Sequence, residues 1–270
     1  MRNLKLKVGL AVGAGLLLLH TGYAQPNAAA VPMANTAGVY AGTSTFYLFP
    51  GPKASKPNHV FGAVSQEGTG YFLAVPGGGS QIQVVQKLTG TGRVFAQESE
   101  IPTEGNKVGR GAQRWQFVIT PADSHGGSYQ LQAKINCGDC YTAYDLRTLP
   151  LTQKRITLGK HAGVYHGVDV NRESKVTLTL DAMGRLSGTD EHGCHLSGTL
   201  AQTGARNLFD VSMTFSGGEH CHGAMTGVAF FDRTDRTGQV SKAKGSYLYL
   251  LGADKELTHG FAMVLAQRSK

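Results

Sequence analysis

Hydrophobic and polar residues alternate over short segments of this chain. The segment Val176-Thr177-Leu178-Thr179-Leu180 has the alternation of a strand with one buried face, and it ends at Asp181-Ala182-Met183-Gly184. A similar pattern spans Leu208–Phe215, and further strand-like segments lie at residues 247–250 and 260–265. Glycine-rich turns separate these segments, and the chain contains 37 glycines. Regularly spaced short strands with glycine turns predict an all-β protein of the small barrel or sandwich type.

An internal repeat divides the chain into two halves. The sequence Ala-Gly-Val-Tyr-Ala-Gly at residues 37–42 returns as Ala-Gly-Val-Tyr-His-Gly at residues 162–167. A Gly-x-Tyr-x-Gly motif suits an opening strand, because its glycines let backbones pack closely while the tyrosine faces the core. We therefore predict two related antiparallel β domains, residues 37–147 and 161–270, which a linker at residues 148–160 connects.

The first 24 residues have the order of a secretory signal peptide. A positively charged start precedes the apolar run Val8–Leu19, and small residues end the segment at Ala24. The apolar run is shorter than the roughly 20 residues of a membrane helix, and no later segment is apolar for long enough. Residues 25–36 read as a flexible lead-in, without a cysteine that could carry a lipid. These features predict a periplasmic or secreted protein.

The charge distribution argues against a nucleic-acid partner. Removal of the signal peptide lowers the formal net charge from +8 to +5. The remaining basic residues are scattered, with at most two adjacent, as at Lys154-Arg155, whereas nucleic-acid binders gather them on one face. The excess positive charge either aids solubility or gives a weak attraction to anionic surfaces.

The four cysteines favour disulfides, because their number is even and the compartment is oxidising. Of the three arrangements, pairing of Cys194 with Cys221 and of Cys137 with Cys140 is the natural one. Closing the longer loop should stabilise the fold by about 3 kcal/mol on the chain-entropy model. The Cys-x-x-Cys spacing also occurs in thiol oxidoreductases, but there it begins a helix, and here the flanking segments are strand-like. The sequence therefore predicts a hairpin tip closed by a disulfide.

Histidines surround the second cysteine pair, in the stretches His192-Gly193-Cys194-His195 and Glu219-His220-Cys221-His222. If a disulfide joins the cysteines across neighbouring strands, alternation places His195 on the face that carries His220 and His222. Three imidazoles with one further ligand would suit copper(II) or zinc. The candidates for that further ligand are Glu219, Asp190 and His192. The alternative is that these are exposed polar residues beside a structural disulfide.

Catalytic signatures are absent or weak. The chain has neither a Gly-x-Ser-x-Gly nor a His-Glu-x-x-His motif. Gly77-Gly78-Gly79 lacks the following helix that would make a phosphate-binding loop. Ser241-Lys242-Ala243-Lys244 fits Ser-x-x-Lys without its partner motifs, so a basic turn is the better interpretation. We do not expect an enzyme.

Several motifs in fixed order carry a resemblance to a known group. In the second half they are Gly-x-Tyr-x-Gly, Gly184-x-Leu186-Ser187-Gly188-x-Asp190, Gly193-Cys194-x-Leu196-Ser197-Gly198, Asn207-Leu208-Phe209-Asp210-Val211 and Cys221. Weaker copies in the first half are Gly68-Thr69-Gly70-Tyr71-Phe72 and Leu88-Thr89-Gly90-Thr91-Gly92. Through these motifs the chain resembles a group of proteobacterial exported proteins and lipoproteins. The resemblance implies a fold and a compartment rather than an activity, and the histidines beside Cys194 and Cys221 are not part of the shared pattern.

The expected function is that of an exported, disulfide-stabilised, non-enzymatic binding or surface-interaction protein. Its partner would be a protein or a small ligand, and no cofactor is required. The alternative is a periplasmic copper- or zinc-binding protein that uses the histidine cluster.

Overall fold

The computed structural model describes residues 36–48, 53–75, 81–86, 94–101, 113–121, 128–136, 140–202, 207–237 and 246–268. These residues form strands and two short 3-10 turns, which confirms the predicted all-β class. Several segments discussed above lie outside the described residues: the predicted signal peptide, lead-in residues 25–35, Gly77–Gly79, Leu88–Gly92, Cys137 and Ser241–Lys244.

The first sheet is an antiparallel meander that closes on itself. Each strand pairs with its neighbour in sequence, except that β2 pairs only with the end of β1 and β1 also pairs with β3. Because β1 pairs with β9 as well, from Tyr40↔Thr148 to Leu48↔Cys140, the order of strands forms a ring. We call it the first barrel. Its strands are β1 (Gly38–Leu48), β2 (Lys53–Ala54), β3 (Asn58–Val64), β4 (Gly70–Val75), β5 (Gln81–Gln86), β6 (Val94–Ile101), β7 (Gln113–Pro121), β8 (Tyr129–Asn136) and β9 (Cys140–Thr148).

The second sheet is a closed barrel of eight antiparallel strands, and two 3-10 turns, Pro150–Gln153 and Leu158–Lys160, lead into it. Pairing of the first strand with the last closes it. Its strands are β10 (Gly163–Asp169), β11 (Ser174–Leu180), β12 (Arg185–Asp190), β13 (His195–Gln202), β14 (Phe209–Ser216), β15 (Gly223–Asp232), β16 (Tyr247–Ala253) and β17 (Gly260–Gln267).

The Gly-x-Tyr-x-Gly motif lies at the seam of each barrel. Tyr40 and Tyr165 are fully buried, and each hydroxyl donates a 2.6 Å hydrogen bond to the backbone carbonyl four residues earlier. The second glycine of each copy, Gly42 or Gly167, faces the last strand of its own barrel. A Cβ at either position would overlap a backbone carbonyl oxygen of that strand. The repeat therefore marks two equivalent closures, in which only glycine allows the strands to approach.

The barrel interiors hold the alternating apolar residues that the sequence pattern predicts. Strand β11 buries Val176, Leu178 and Leu180 and exposes the residues between them, and β14 alternates in the same way. These side chains pack with inward residues of the other strands into one apolar cluster. A separate cluster, which includes Tyr40 and Leu131, fills the first barrel.

A third apolar cluster lies between the two barrels. It joins residues of β3 and β4, among them Phe61 and Leu73, to outward residues of β15, β16 and β17. Strands β16 and β17 are consequently buried on both faces, which explains why their sequences are nearly continuous apolar runs. The rings of Phe61 and Tyr249 meet edge to face, with centroids 5.3 Å apart. The two barrels thus form a joint apolar interface.

The seam glycines lead to a stability prediction. Gly167→Ala should destabilise the fold by about 3 kcal/mol or more, because the new methyl group collides with backbone that cannot rotate away. Gly159→Ala is the matched control, since a Cβ there would make only an ordinary contact, 3.8 Å from the Ala182 Cβ. Urea denaturation of both variants measures the difference. Equal stabilities would contradict the assignment of Gly167 to a closed seam.

Candidate functional site

The predicted disulfide between Cys194 and Cys221 is present, with the two Cα atoms 5.6 Å apart. It links the turn between β12 and β13 to the turn between β14 and β15. Cys140 is also disulfide-bonded, while Cys137, its predicted partner, lies outside the described residues.

A buried ion pair lies beneath the Cys194–Cys221 disulfide. The Arg172 guanidinium donates to Asp190 Oδ2 at 3.0 Å and to the carbonyl oxygen of His220 at 3.0 Å. Its side chain is 2% exposed and that of Asp190 is fully buried. The other Asp190 oxygen accepts the backbone N–H of His192 and of Cys194. Asp190, one candidate for the fourth metal ligand, is therefore engaged in holding the two turns together.

Asp169 holds the β10–β11 turn that presents Arg172. Its Oδ1 accepts the backbone N–H of Ala262 at 2.9 Å, of Asn171 at 3.1 Å and of Arg172 at 3.3 Å. Burial raises the pKa of Asp169 to about 6, against the lowering effect of these hydrogen bonds and of the Arg172 charge. The end of the second barrel is thus closed by a buried polar network.

The histidines near the disulfide differ in their surroundings. His192, His195 and His220 are exposed, and His220 Nε2 lies 3.5 Å from Glu219 Oε1. His222 instead stacks on His259, with ring centroids 3.8 Å apart.

Among the described residues, no group of three or more His, Cys, Asp or Glu side chains is arranged to hold a metal ion. The reason lies in the local backbone, because Cys221 and its flanking histidines occupy a turn, where the alternation of strand faces does not apply. The metal site formed by His195, His220 and His222 stays a prediction.

A cleft between the two barrels collects a different set of polar side chains. It has a volume of about 290 Å³. One wall is the turn between β3 and β4, and the other is the outer surface of β13, β14 and β15. Hydroxyl groups dominate its polar lining: Ser65, Thr69, Tyr71, Thr199, Ser212 and Thr226.

Two carboxylates, one from each barrel, complete the cleft. Glu67 lies at the tip of the β3–β4 turn. The turn is tight because Ser65 and Thr69 form hydrogen bonds with each other and Gly68 adopts a left-handed conformation (φ 79°). Asp210 lies on β14, with its side chain on the outer face between the inward residues Phe209 and Val211. The described lining contains no basic side chain.

The carboxylates of the cleft affect the pKa values of neighbouring groups. Burial raises the pKa of Asp210, and the nearby charge of Glu67 raises it further. Burial also raises the pKa of Tyr71 to about 12, although a hydrogen bond with Thr226 opposes this, and both carboxylates add to the increase. Glu67 and Asp210 are therefore close enough to interact, and no described cation in the cleft compensates them.

Sequence reasoning did not identify Glu67 or Asp210 as site residues. Both adjoin or lie within motifs that we interpreted as structural, next to Gly68 and within Asn207–Val211. Each is a carboxylate in an ordinary place, Glu67 in a turn and Asp210 on the outward face of a strand, so neither gave a signal.

Comparison with known proteins identifies no family. Neither a protein-family model nor a curated protein matches the chain. A crystal structure of a candidate outer membrane protein from Bacteroides fragilis aligns with 88% of this chain and all of its own, at 12% identity and a TM-score of 0.25. That similarity is too low to support an argument about function. Within the described residues, no helix has the length and apolarity needed to span a membrane.

The buried ion pair generates a prediction. Arg172→Ala should cost about 3–5 kcal/mol of unfolding free energy, because it leaves Asp190 buried without its partner. Lys175→Ala removes an exposed pair with Glu191, whose side chains are 81% and 39% exposed, and should cost less than about 1 kcal/mol. Non-reducing denaturant titrations compare the two variants. Similar losses would show that the Arg172 pair is not important for stability.

A second prediction concerns Asp210. Its raised pKa means that ionised Asp210 destabilises the folded state, and that this effect disappears as the pH falls through the raised value. Asp210→Asn should therefore raise the melting temperature at pH 7, with a smaller gain near pH 3. Glu256→Gln, a neutralisation at an exposed residue outside the cleft, serves as the control. A lower melting temperature for Asp210→Asn at pH 7 would contradict this electrostatic description.

Proposed function

We propose that this chain is an exported, non-enzymatic binding protein that holds a cationic group in the cleft between its barrels. The group would be a primary amine or a guanidinium. The single observation that supports this most is the meeting of Glu67 and Asp210, from different barrels, in a cleft whose described lining has no basic residue. The signal-peptide pattern of residues 1–24 supports export.

The electrostatics favour a cation over a neutral or anionic ligand. Burial and the nearby Glu67 charge disfavour the ionised form of Asp210, and a bound cation would oppose that effect. The surrounding hydroxyls can accept hydrogen bonds from the N–H groups of the same cation. A charged hydrogen bond of this kind is stronger than a neutral one.

The volume limits the size of the bound group. About 290 Å³ lies just below the range of small-molecule pockets, roughly 300–1,000 Å³. The cleft therefore suits a small amine, or one lysine or arginine side chain on a partner protein. Both sources offer the same chemistry to Glu67 and Asp210.

Isothermal titration calorimetry with putrescine and with a short lysine-containing peptide tests the proposal. We expect binding of at least one probe, and the preferred probe distinguishes a small-molecule ligand from a protein partner. Glu67→Gln and Asp210→Asn should each weaken binding by about tenfold, the loss expected for one charge-assisted hydrogen bond. The raised pKa of Asp210 also means that affinity should start to fall at a higher pH than for an ordinary aspartate.

Glu256→Gln should leave the affinity unchanged, because it removes the same charge from an exposed turn. Absence of binding by both probes, or equal binding by the cleft variants and the wild type, would refute the proposal.

A further inference from the structure

A second cavity, of about 250 Å³, lies where the segment between the barrels meets the end of β15. Three apolar side chains line it: Leu151, Ile156 and Phe231. Ile156 and Phe231 are buried and belong to the interior cluster of the second barrel or pack beside it. The apolar part of this cavity is therefore continuous with the packed interior of the second barrel.

The ring of His161 forms one wall of this cavity. It lies against Phe231, with ring centroids 4.3 Å apart and a tilt of 33°. The backbone of His161 is fixed on both sides, since its N–H donates to the Leu158 carbonyl and its own carbonyl accepts the Tyr165 hydroxyl. The imidazole consequently has a defined position.

The Nδ1 atom of His161 is buried and has no hydrogen-bond partner among the described residues. A buried polar atom without a partner costs free energy, so this nitrogen destabilises the ligand-free fold. Burial lowers the pKa of His161, and the nearby Lys154 charge lowers it further. The ring is therefore neutral at neutral pH and brings no charge of its own to the cavity.

Positive charge lies at the mouth of the cavity. Lys154 and Arg233 line it and are exposed. Asp232 is the carboxylate on the described lining, and it is already bound by Arg236, at 2.8 Å to Nε and 2.6 Å to Nη2. It also accepts the backbone N–H of Arg233. The two cations at the mouth are thus available to an incoming anion.

We propose that this cavity binds a small aromatic carboxylate. The carboxylate lies between Lys154 and Arg233, at the mouth of the cavity. The aromatic ring packs on Ile156 and Phe231, where a flat ring matches the existing stack of His161 and Phe231. This site and its ligand are independent of the cleft that holds Glu67 and Asp210.

Phenylacetate is the probe, and phenylacetamide is its neutral counterpart. Two-dimensional ¹H–¹⁵N NMR of the histidine side chains follows the titration, since it reports on the tautomer and hydrogen bonding of His161 directly. We expect phenylacetate to shift the His161 Nδ1 resonance and to bind about tenfold more tightly than the amide, as one charged contact implies. Octanoate, which has the carboxylate without the ring, tests whether the aromatic part matters. Equal affinities for octanoate and phenylacetate would overturn the aromatic assignment.

Three variants separate binding from folding. The double variant Lys154→Gln/Arg233→Gln should lose the preference for the acid over the amide, whereas Lys255→Gln, at an exposed turn elsewhere, should keep it. His161→Phe retains a ring against Phe231 and removes the unpartnered nitrogen. It should raise the melting temperature of the ligand-free protein and keep the preference for phenylacetate over phenylacetamide.

Two results would overturn the proposal. One is the absence of any His161 shift up to the solubility limit of phenylacetate. The other is equal affinity for the acid and the amide in the wild-type protein.

Discussion

The apolar interface between the two barrels is the contact on which the rest of the structure depends. The outer face of a closed barrel ordinarily meets water, yet here β16 and β17 bury theirs against β3 and β4. Tyr249 lies at the centre of this contact, edge-on to Phe61 and stacked on Phe230 at 4.8 Å. Removal of this apolar surface from water fixes the β3–β4 turn against the second barrel. Only because of that docking do Glu67 and Asp210 share one cleft.

The sequence predicts those parts of the fold whose constraints are local. Strand β11 was predictable because its inward residues are buried and its outward residues are exposed, which requires apolar and polar residues to alternate in the sequence. The repeat was recognisable because the same steric constraint acts on Gly42 and Gly167, and no other residue satisfies it. The outward residues of β16 carry no such mark, since Tyr247 and Tyr249 become buried only when the first barrel docks.

The candidate sites were beyond sequence reasoning for a related reason. Glu67 belongs to a turn and Asp210 to the outside of a strand, and each looks like an ordinary solvated carboxylate until the barrels meet. For the histidines, by contrast, the spacing in the sequence suggested a site, because four of them lie close to two cysteines. His220 and His222 lie in a turn, and the ring that His222 contacts is that of His259, from the distant β16–β17 turn. The Cys194–Cys221 disulfide was predictable, because the signal-peptide pattern indicates an oxidising compartment and the number of cysteines is even.

Closure of both barrels also determines how a partner can attach. Every described strand except β2 has a hydrogen-bonded neighbour on each side, and β2 is only two residues long. Many binding proteins capture an extended peptide by adding it as a further strand to an open sheet edge. The described part of this molecule offers almost no such edge, which also protects it from edge-to-edge aggregation. A partner of this part of the molecule would therefore contact side chains in clefts and turns, where single substitutions change the contact without altering the register of any strand.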